Sequence, residues 1–211
     1  FAMTWAPTTC PAPPPPPGPV PTDQDLCHWV DAGPDQNTCG GIPVTLTADF
    51  ADMRATTSYA VADVPYAPFS FTTGTNILID IDDIWGGVIN MGFNFCFYGN
   101  NYNQLVVGSN GVASFNTPYA NGYCQWPINA PWPDAAAAMR NTIGCPWHDI
   151  DPSVGFNPNR IKIHVDGVAP CRKFIVTFNQ IPMFSGACNS QLATHQMILY
   201  ESSNVIDMYI A

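Results

Sequence analysis

The sequence predicts an all-β protein: an antiparallel β-sandwich, of jelly-roll or immunoglobulin-like topology, with one short helix and a proline-rich N-terminal arm. Apolar residues alternate with polar ones over most of the chain after Val30. Turn-forming Asn-Gly, Asp-Gly and Ser-Ser-Asn steps separate these alternating runs. Such short alternating segments punctuated by turns are the pattern of half-buried antiparallel strands. Ahead of them, eight prolines fall between Pro11 and Pro21.

The arm comes first. Proline fixes φ and has no amide donor, so the run through Pro11, Pro13, Pro14, Pro15, Pro16 and Pro17 excludes helix and central strand. At ~3.1 Å per residue, a polyproline stretch from 11 to 21 reaches roughly 30 Å. The plain reading is a spacer; the sharper one is an arm that lies on a neighbouring copy, with Cys10 able to pin it. The chain therefore divides into an arm, residues 1–21, and a disulfide-bearing β-sandwich domain, residues 22–211.

Within the domain, Val44, Leu46, Ala48 and Phe50 alternate with Thr45, Thr47 and Asp49, and Phe93, Phe95 and Phe97 with Asn94, Cys96 and Tyr98. Leu105 to Val107 leads into Asn110-Gly111, a type I′ hairpin signal, and Val112 to Phe115 returns. The helix is expected over 135–140, with Asp134 as its N-cap and Gly144 past its end. Ile161, Ile163 and Val165 alternate with Lys162, His164 and Asp166, and Asp166-Gly167 marks a turn. Phe174 to Phe178, Gln196 to Glu201 and Val205 to Ile210 supply further strands, and Pro152, Pro158, Pro170 and Pro182 fall in loops. No repeat is found.

Composition narrows the function. Of 211 residues 46% are apolar but only 10% charged, against roughly 25% in an ordinary soluble domain. Neutral polar side chains must cover the surface, as in extracellular and self-associating proteins. With six basic residues and a net charge of −10, the chain cannot neutralise phosphates, which excludes nucleic acid as a partner. No apolar run approaches the ~20 residues of a transmembrane segment. Eight cysteines, at 10, 27, 39, 96, 124, 145, 171 and 188, include no CxxC pair. Their even number and wide spacing suit disulfides made in an oxidising compartment.

Two carboxylate runs can hold a metal. Asp80, Asp82 and Asp83 form D-x-D-D, and Asp149 and Asp151 form D-x-D. Strand alternation would put Asp80 with Asp82, and Asp149 with Asp151, on common faces. Calcium takes six to eight oxygens, and such pairs supply them. The spacing is not that of an EF-hand, and turn-capping aspartates are the plain alternative. A glycosidase pair needs a set carboxylate separation; Trp85 and Trp147 nearby suit a sugar platform or equally a core. His148, beside Asp149, with His164 and His195 invites a metal or a triad, yet no HExxH or G-x-S-x-G is present. Gly108-Ser109-Asn110-Gly111 reads as a hairpin turn and not as a nucleophile elbow. Trp5, Trp29, Trp126 and Trp132 stand among prolines and glycines, where they can stack on a sugar, anchor an interface or cap a core.

Several stretches carry a resemblance. Residues 31–36 (DAGPDQ) followed by 44–48 (VTLTA) resemble the PKD-like opening of surface proteins of gliding Bacteroidetes. Residues 92–102 (GFNFCFYGNNY), 107–112 (VGSNGV), 126–129 (WPIN), 146–155 (PWHDIDPSVG), 169–174 (APCRKF), 181–185 (IPMFS) and 199–201 (LYE), with Gly122-Tyr123, resemble their central domain, whose motif order is also similar to nidogen-like extracellular domains. The resemblance implies large cell-surface proteins exported by the type IX secretion system and linked to gliding and adhesion, with no catalytic residues. Leu105 stands where relatives often carry a cysteine, and Cys124 and Cys145 stand where others occur. Their joint appearance suggests that they pair. Cys171 and Cys188, which flank a hairpin, form the second expected pair; Cys10, Cys27, Cys39 and Cys96 leave three connectivities open.

The expectation is thus a secreted, non-enzymatic subunit of a filament or surface assembly that polymerises with copies of itself through the arm. The alternative is a surface adhesin that binds a glycan or a host or cell-surface ligand, assisted by calcium.

Overall fold

A computed structural model describes residues 61–127, 132, 139–155 and 157–211, and the backbone of three further strands near the N-terminus. The strands are β1 (Ala2–Trp5), β2 (Val30–Asp31), β3 (Asp49–Phe50), β4 (Thr75–Asn76), β5 (Ile89–Phe97), β6 (Asn100–Gly108), β7 (Val112–Ser114), β8 (Thr142–Gly144), β9 (Ile161–Asp166), β10 (Lys173–Pro182), β11 (Leu192–Tyr200) and β12 (Ile206–Ile210). They form two principal antiparallel sheets. One has six strands in the order β1-β12-β11-β10-β9-β4, the other four in the order β5-β6-β7-β8, and β2 and β3 pair separately. The protein is all-β and sandwich-like.

Alternation places the core. In β5, Met91, Phe93, Phe95 and Phe97 are buried while Asn90, Gly92 and Asn94 are exposed. The buried set packs with Leu105 and Val107 of β6 and, from the other sheet, Ile161, Phe174, Val176, Phe178, Met197, Leu199 and Ile206. Each such side chain contributes about 1.5–3 kcal/mol on leaving water. Strands β10 and β11 are buried on both faces because residues before β4 cover the outer one: Phe69 packs on Ile175, Ile198, Tyr200 and Val205, and its amide donates to Gln196 Oε1 at 2.8 Å. The outer face of the four-stranded sheet carries its own cluster of Trp85, Val106, Val112, Cys124 and Met139. The motif stretches at 169–174 and 199–201 meet in the six-stranded sheet, where the Arg172 guanidinium donates through Nε to Glu201 Oε2 at 2.8 Å and through Nη2 to Oε1 at 2.5 Å.

Several expectations need correction. Among the described residues the helical structure is one 3-10 turn, Thr117–Tyr119. Residues 134–138 lie outside the described ones, but Gly144 ends no helix: β-branched Thr142 and Ile143 pair with Ser114 and Ala113 to make β8. The hairpin after β6 has a three-residue loop, closed by Gly108 opposite Val112. Only Gly111 has positive φ (+75°), whereas type I′ needs it at both central residues. In β9, Ile161 and Ile163 reach the core as expected, but Val165 is exposed and Lys162 buried. Pro182 lies in β10 and not in a loop. Of the strand expected over 44–50, residues 44–48 lie outside the described residues.

Candidate cation site

The turn Ser109-Asn110-Gly111 organises the site. Ser109 and Asn110 are fully buried. Asn110 Nδ2 donates to Asp83 Oδ1 (2.8 Å) and to the Cys124 carbonyl (3.0 Å), and its Oδ1 accepts the Ile150 amide (3.3 Å). Ser109 Oγ accepts the Ile84 amide at 3.0 Å. These four bonds fasten residues 83–84, 124 and 150 to one point. They bring Asp82 and Asp83 from one loop against Asp149 from another.

One carboxylate oxygen from each of Asp82, Asp83 and Asp149 lies within 4.8 Å of the others. Asp82 Oδ1 is buried without a hydrogen-bond partner. Burial first, then the charges of Asp151, Asp83 and Asp149, push the Asp82 carboxyl up to about 6. Burial and the neighbouring Asp83 and Asp151 also raise Asp149. Tyr123, at the rim, is raised by desolvation and by Asp83. Asp151 is only 7% exposed, and its Oδ1 accepts both the amide (2.8 Å) and the hydroxyl (2.5 Å) of Ser153. Arg160 attracts Asp151 while its Nη1 donates to the Val154 carbonyl at 2.6 Å.

Like charges held this close relax by taking up a proton or a cation. The donors are all hard oxygens, which suit calcium or magnesium better than a transition metal. Asp82, Asp83 and Asp149 would hold the ion, with Asp151 adding charge behind them.

The expected face-sharing of Asp80 and Asp82 is not what assembles the site. Residues 81–83 form a bend and turn with Asp83 at φ +55°, and Asp80 is exposed. Trp85 is 1% exposed and stacked on Tyr119 at 5.5 Å, a core residue and no sugar platform. Trp126 and Trp132 are 42% and 38% exposed. Trp132 meets Trp147 edge-on at 5.6 Å, and Trp147 Nε1 donates to the Gln125 carbonyl at 2.8 Å. Trp5 is described only as backbone of β1; Trp29 and Pro11 to Pro17 lie outside the described residues.

The histidines separate. His164 lies on β9, 4.0 Å from Asp166. His148 and His195 meet with ring centroids 5.3 Å apart, and His195, 1% exposed, stacks on Phe178 at 4.5 Å. Both Nε2 atoms are buried without a partner. Burial holds both imidazoles below the usual range, His195 well below it with help from His148. The two expected pairs, Cys124 with Cys145 and Cys171 with Cys188, are not formed. Cys124 and Cys145 are buried free thiols, each pushed up to about 12 by burial. Cys124 packs with Val112 on the outer side of β7, and Cys145 with Ala113 on the inner side, so the strand separates them. Cys188 is also free, as is Cys96, while Cys171 is disulfide-bonded. Cys10, Cys27 and Cys39 lie outside the described residues.

A family model described as NIDO related matches residues 58–211. The chain belongs to the NIDO-related family. The NIDO-related domain is an extracellular one, and it takes in β4 to β12 and every residue of the carboxylate cluster. The PKD-like opening at 31–48 precedes the matched range. No curated protein and no solved structure matches the chain. Among the described residues no helix is long and apolar enough to cross a membrane.

Proposed function

We propose that the chain is a non-enzymatic structural subunit of an extracellular filament or cell-surface assembly, joined to copies of itself through its N-terminal arm. The observation that carries this reading is the placement of β1. Ala2–Trp5 closes the edge of the six-stranded sheet by pairing with β12, yet it lies beyond the proline-rich stretch from the rest of the domain. Low charge and an extracellular domain class agree with the reading. It includes kinship with the surface proteins of gliding Bacteroidetes and export by the type IX system, on the motif stretches within residues 31–48 and 92–201. Ser109 is not poised as a nucleophile, since it is fully buried and its Oγ is engaged by a backbone amide. Removing residues 1–21 is expected to abolish assembly and leave a folded monomer. Sedimentation and electron microscopy check this; unchanged polymers would sink the reading.

A second reading is favoured by the carboxylates beside Tyr123 and the exposed Trp126: a surface adhesin whose glycan or protein contact is assisted by calcium. Calcium at a hundredfold excess over its Kd is expected to add about 2.7 kcal/mol of stability. A melting curve indifferent to calcium and to EDTA counts against it, and a glycan array tests the ligand directly.

A further inference from the structure

The filament reading leaves open what the arm docks on. Strand β12 has two neighbours. On one side it pairs with β11, from Leu199 opposite Ile206 to His195 opposite Ile210. On the other it pairs with β1, Ala2 opposite Tyr209, Met3 opposite Met208, Thr4 opposite Asp207 and Trp5 opposite Ile206. Without β1, β12 would be the edge of the sheet. Apart from Asp207, whose Oδ2 accepts the Tyr200 hydroxyl at 2.8 Å, that edge is apolar: Ile206 and Met208 belong to the inter-sheet core, and Tyr209 packs in the outer cluster. An uncovered apolar edge of this kind templates pairing with another strand.

Resting on the filament reading, we infer that β1 is an exchangeable strand: Ala2–Trp5 of one copy occupies the β12 edge of the next copy, in the same register. The ladder is made of main-chain hydrogen bonds, and these are the same whichever chain supplies the strand. Placement within one chain and placement between chains therefore differ mainly in the tether. Residues 6–29 connect β1 to β2, and they contain the prolines of 11–21. A flexible tether of this length would return the strand to its own body at an effective concentration in the millimolar range. The prolines of 11–21 are expected from the sequence to stiffen part of this tether, and a stiff tether whose reach does not match the span lowers that figure. Exchange then competes at lower protein concentration. Each copy has one strand to give and one edge to fill, so the contact is head-to-tail and propagates unless the ring closes.

The test uses the full chain. Met3 is replaced by the photo-crosslinking residue benzoylphenylalanine, with Trp5 as a second position should the first variant fail to fold. Chains grown in 14N and 15N media are mixed in equal amounts as monomers, allowed to assemble and irradiated. Peptide mass spectrometry then reads the cross-links, and electron microscopy reads the same sample. Exchange is expected to give cross-links to residues 206–210, about half of them joining a 14N to a 15N peptide. Cross-links to 206–210 that are only same-label overturn the inference, as do cross-links confined to any other segment. The two readings fail separately. Fibres with only same-label cross-links remove exchange and keep the filament; mixed-label closed dimers without fibres keep exchange and remove the filament. Neither fibres nor mixed-label links removes both.

Discussion

The carboxylate cluster and the histidine pair are held by the same three-residue turn, and they place opposite demands on it. Asn110 draws Asp83 toward Asp82 and Asp149, while the Cα of Gly111 sits against His195 and His148, whose Nε2 and Cδ2 atoms would lie 3.0 and 3.3 Å from any added Cβ. The first cluster concentrates negative charge at a loop surface and is relieved by a proton or a cation. The second buries two imidazoles with bare Nε2 atoms, and among the described residues no carboxylate compensates them, so burial disfavours a proton there. What differs is the partner: the acids face solvent and one another, the histidines face Phe178 and each other.

The largest effect is expected from disturbing the turn that serves both. Gly111→Ala places a side chain at φ +75° against the Pro146 carbonyl oxygen. A loss of more than about 2 kcal/mol in chemical denaturation is expected. Gly155→Ala, also at positive φ (+55°) but with open space around it, is expected to cost about 1 kcal/mol. Equal losses would mean that the crowding at Gly111 is relieved at no cost.

The acid side comes next. Because folding raises the Asp82 pKa from 3.8 to about 6, the native state holds the proton more tightly than the unfolded chain. The associated stability is full below pH 3.8 and is lost as pH rises through about 6. Asp82→Asn is expected to remove that decline and, since the site is solvent-screened, to raise stability at pH 7 by about 1 kcal/mol, or about 2–4 °C in Tm. It should also erase any response to calcium. A pH–Tm profile with and without the ion reads both, and an unchanged profile would break the assignment of the shared charge to Asp82.

The histidine side gives the mirror case and the smallest effect. A lowered native pKa means that the contribution of His195 is present above pH 6.5 and lost as pH falls below it. His195→Phe keeps the stack on Phe178 and removes the buried Nε2. Its stability at pH 7.5 should stay within about 1 kcal/mol of the parent, with a shallower acid limb below pH 6.5. An acid limb of unchanged slope would show that the pair does not set it.

Much of the frame was legible because it is written locally. Phe93, Phe95 and Phe97 alternate with polar neighbours, and the structure buries all three in one core. Gly111 was readable as a turn residue. Asn110 was readable as the same, but its role as the hub was not, since its partners lie 27, 14 and 40 residues away. The carboxylates were visible as runs, while the choice of Asp83 over Asp80 depends on a positive φ at Asp83 that strand alternation would not give. Nor does an even number of cysteines reveal that β7 stands between Cys124 and Cys145. Side-chain type reads from sequence, but which side of a sheet it reaches depends on bends at single residues.

The pairing of Ala2 with Tyr209 also has a mechanical consequence. It sets residues 2 and 210 at the same end of one antiparallel ladder. Tension applied between those two points would open the ladder like a zipper, loading one hydrogen bond at a time and not the whole row in shear. Pulled this way, the sheet would yield first at the β1–β12 seam, at low force, and leave the packed strands behind it intact.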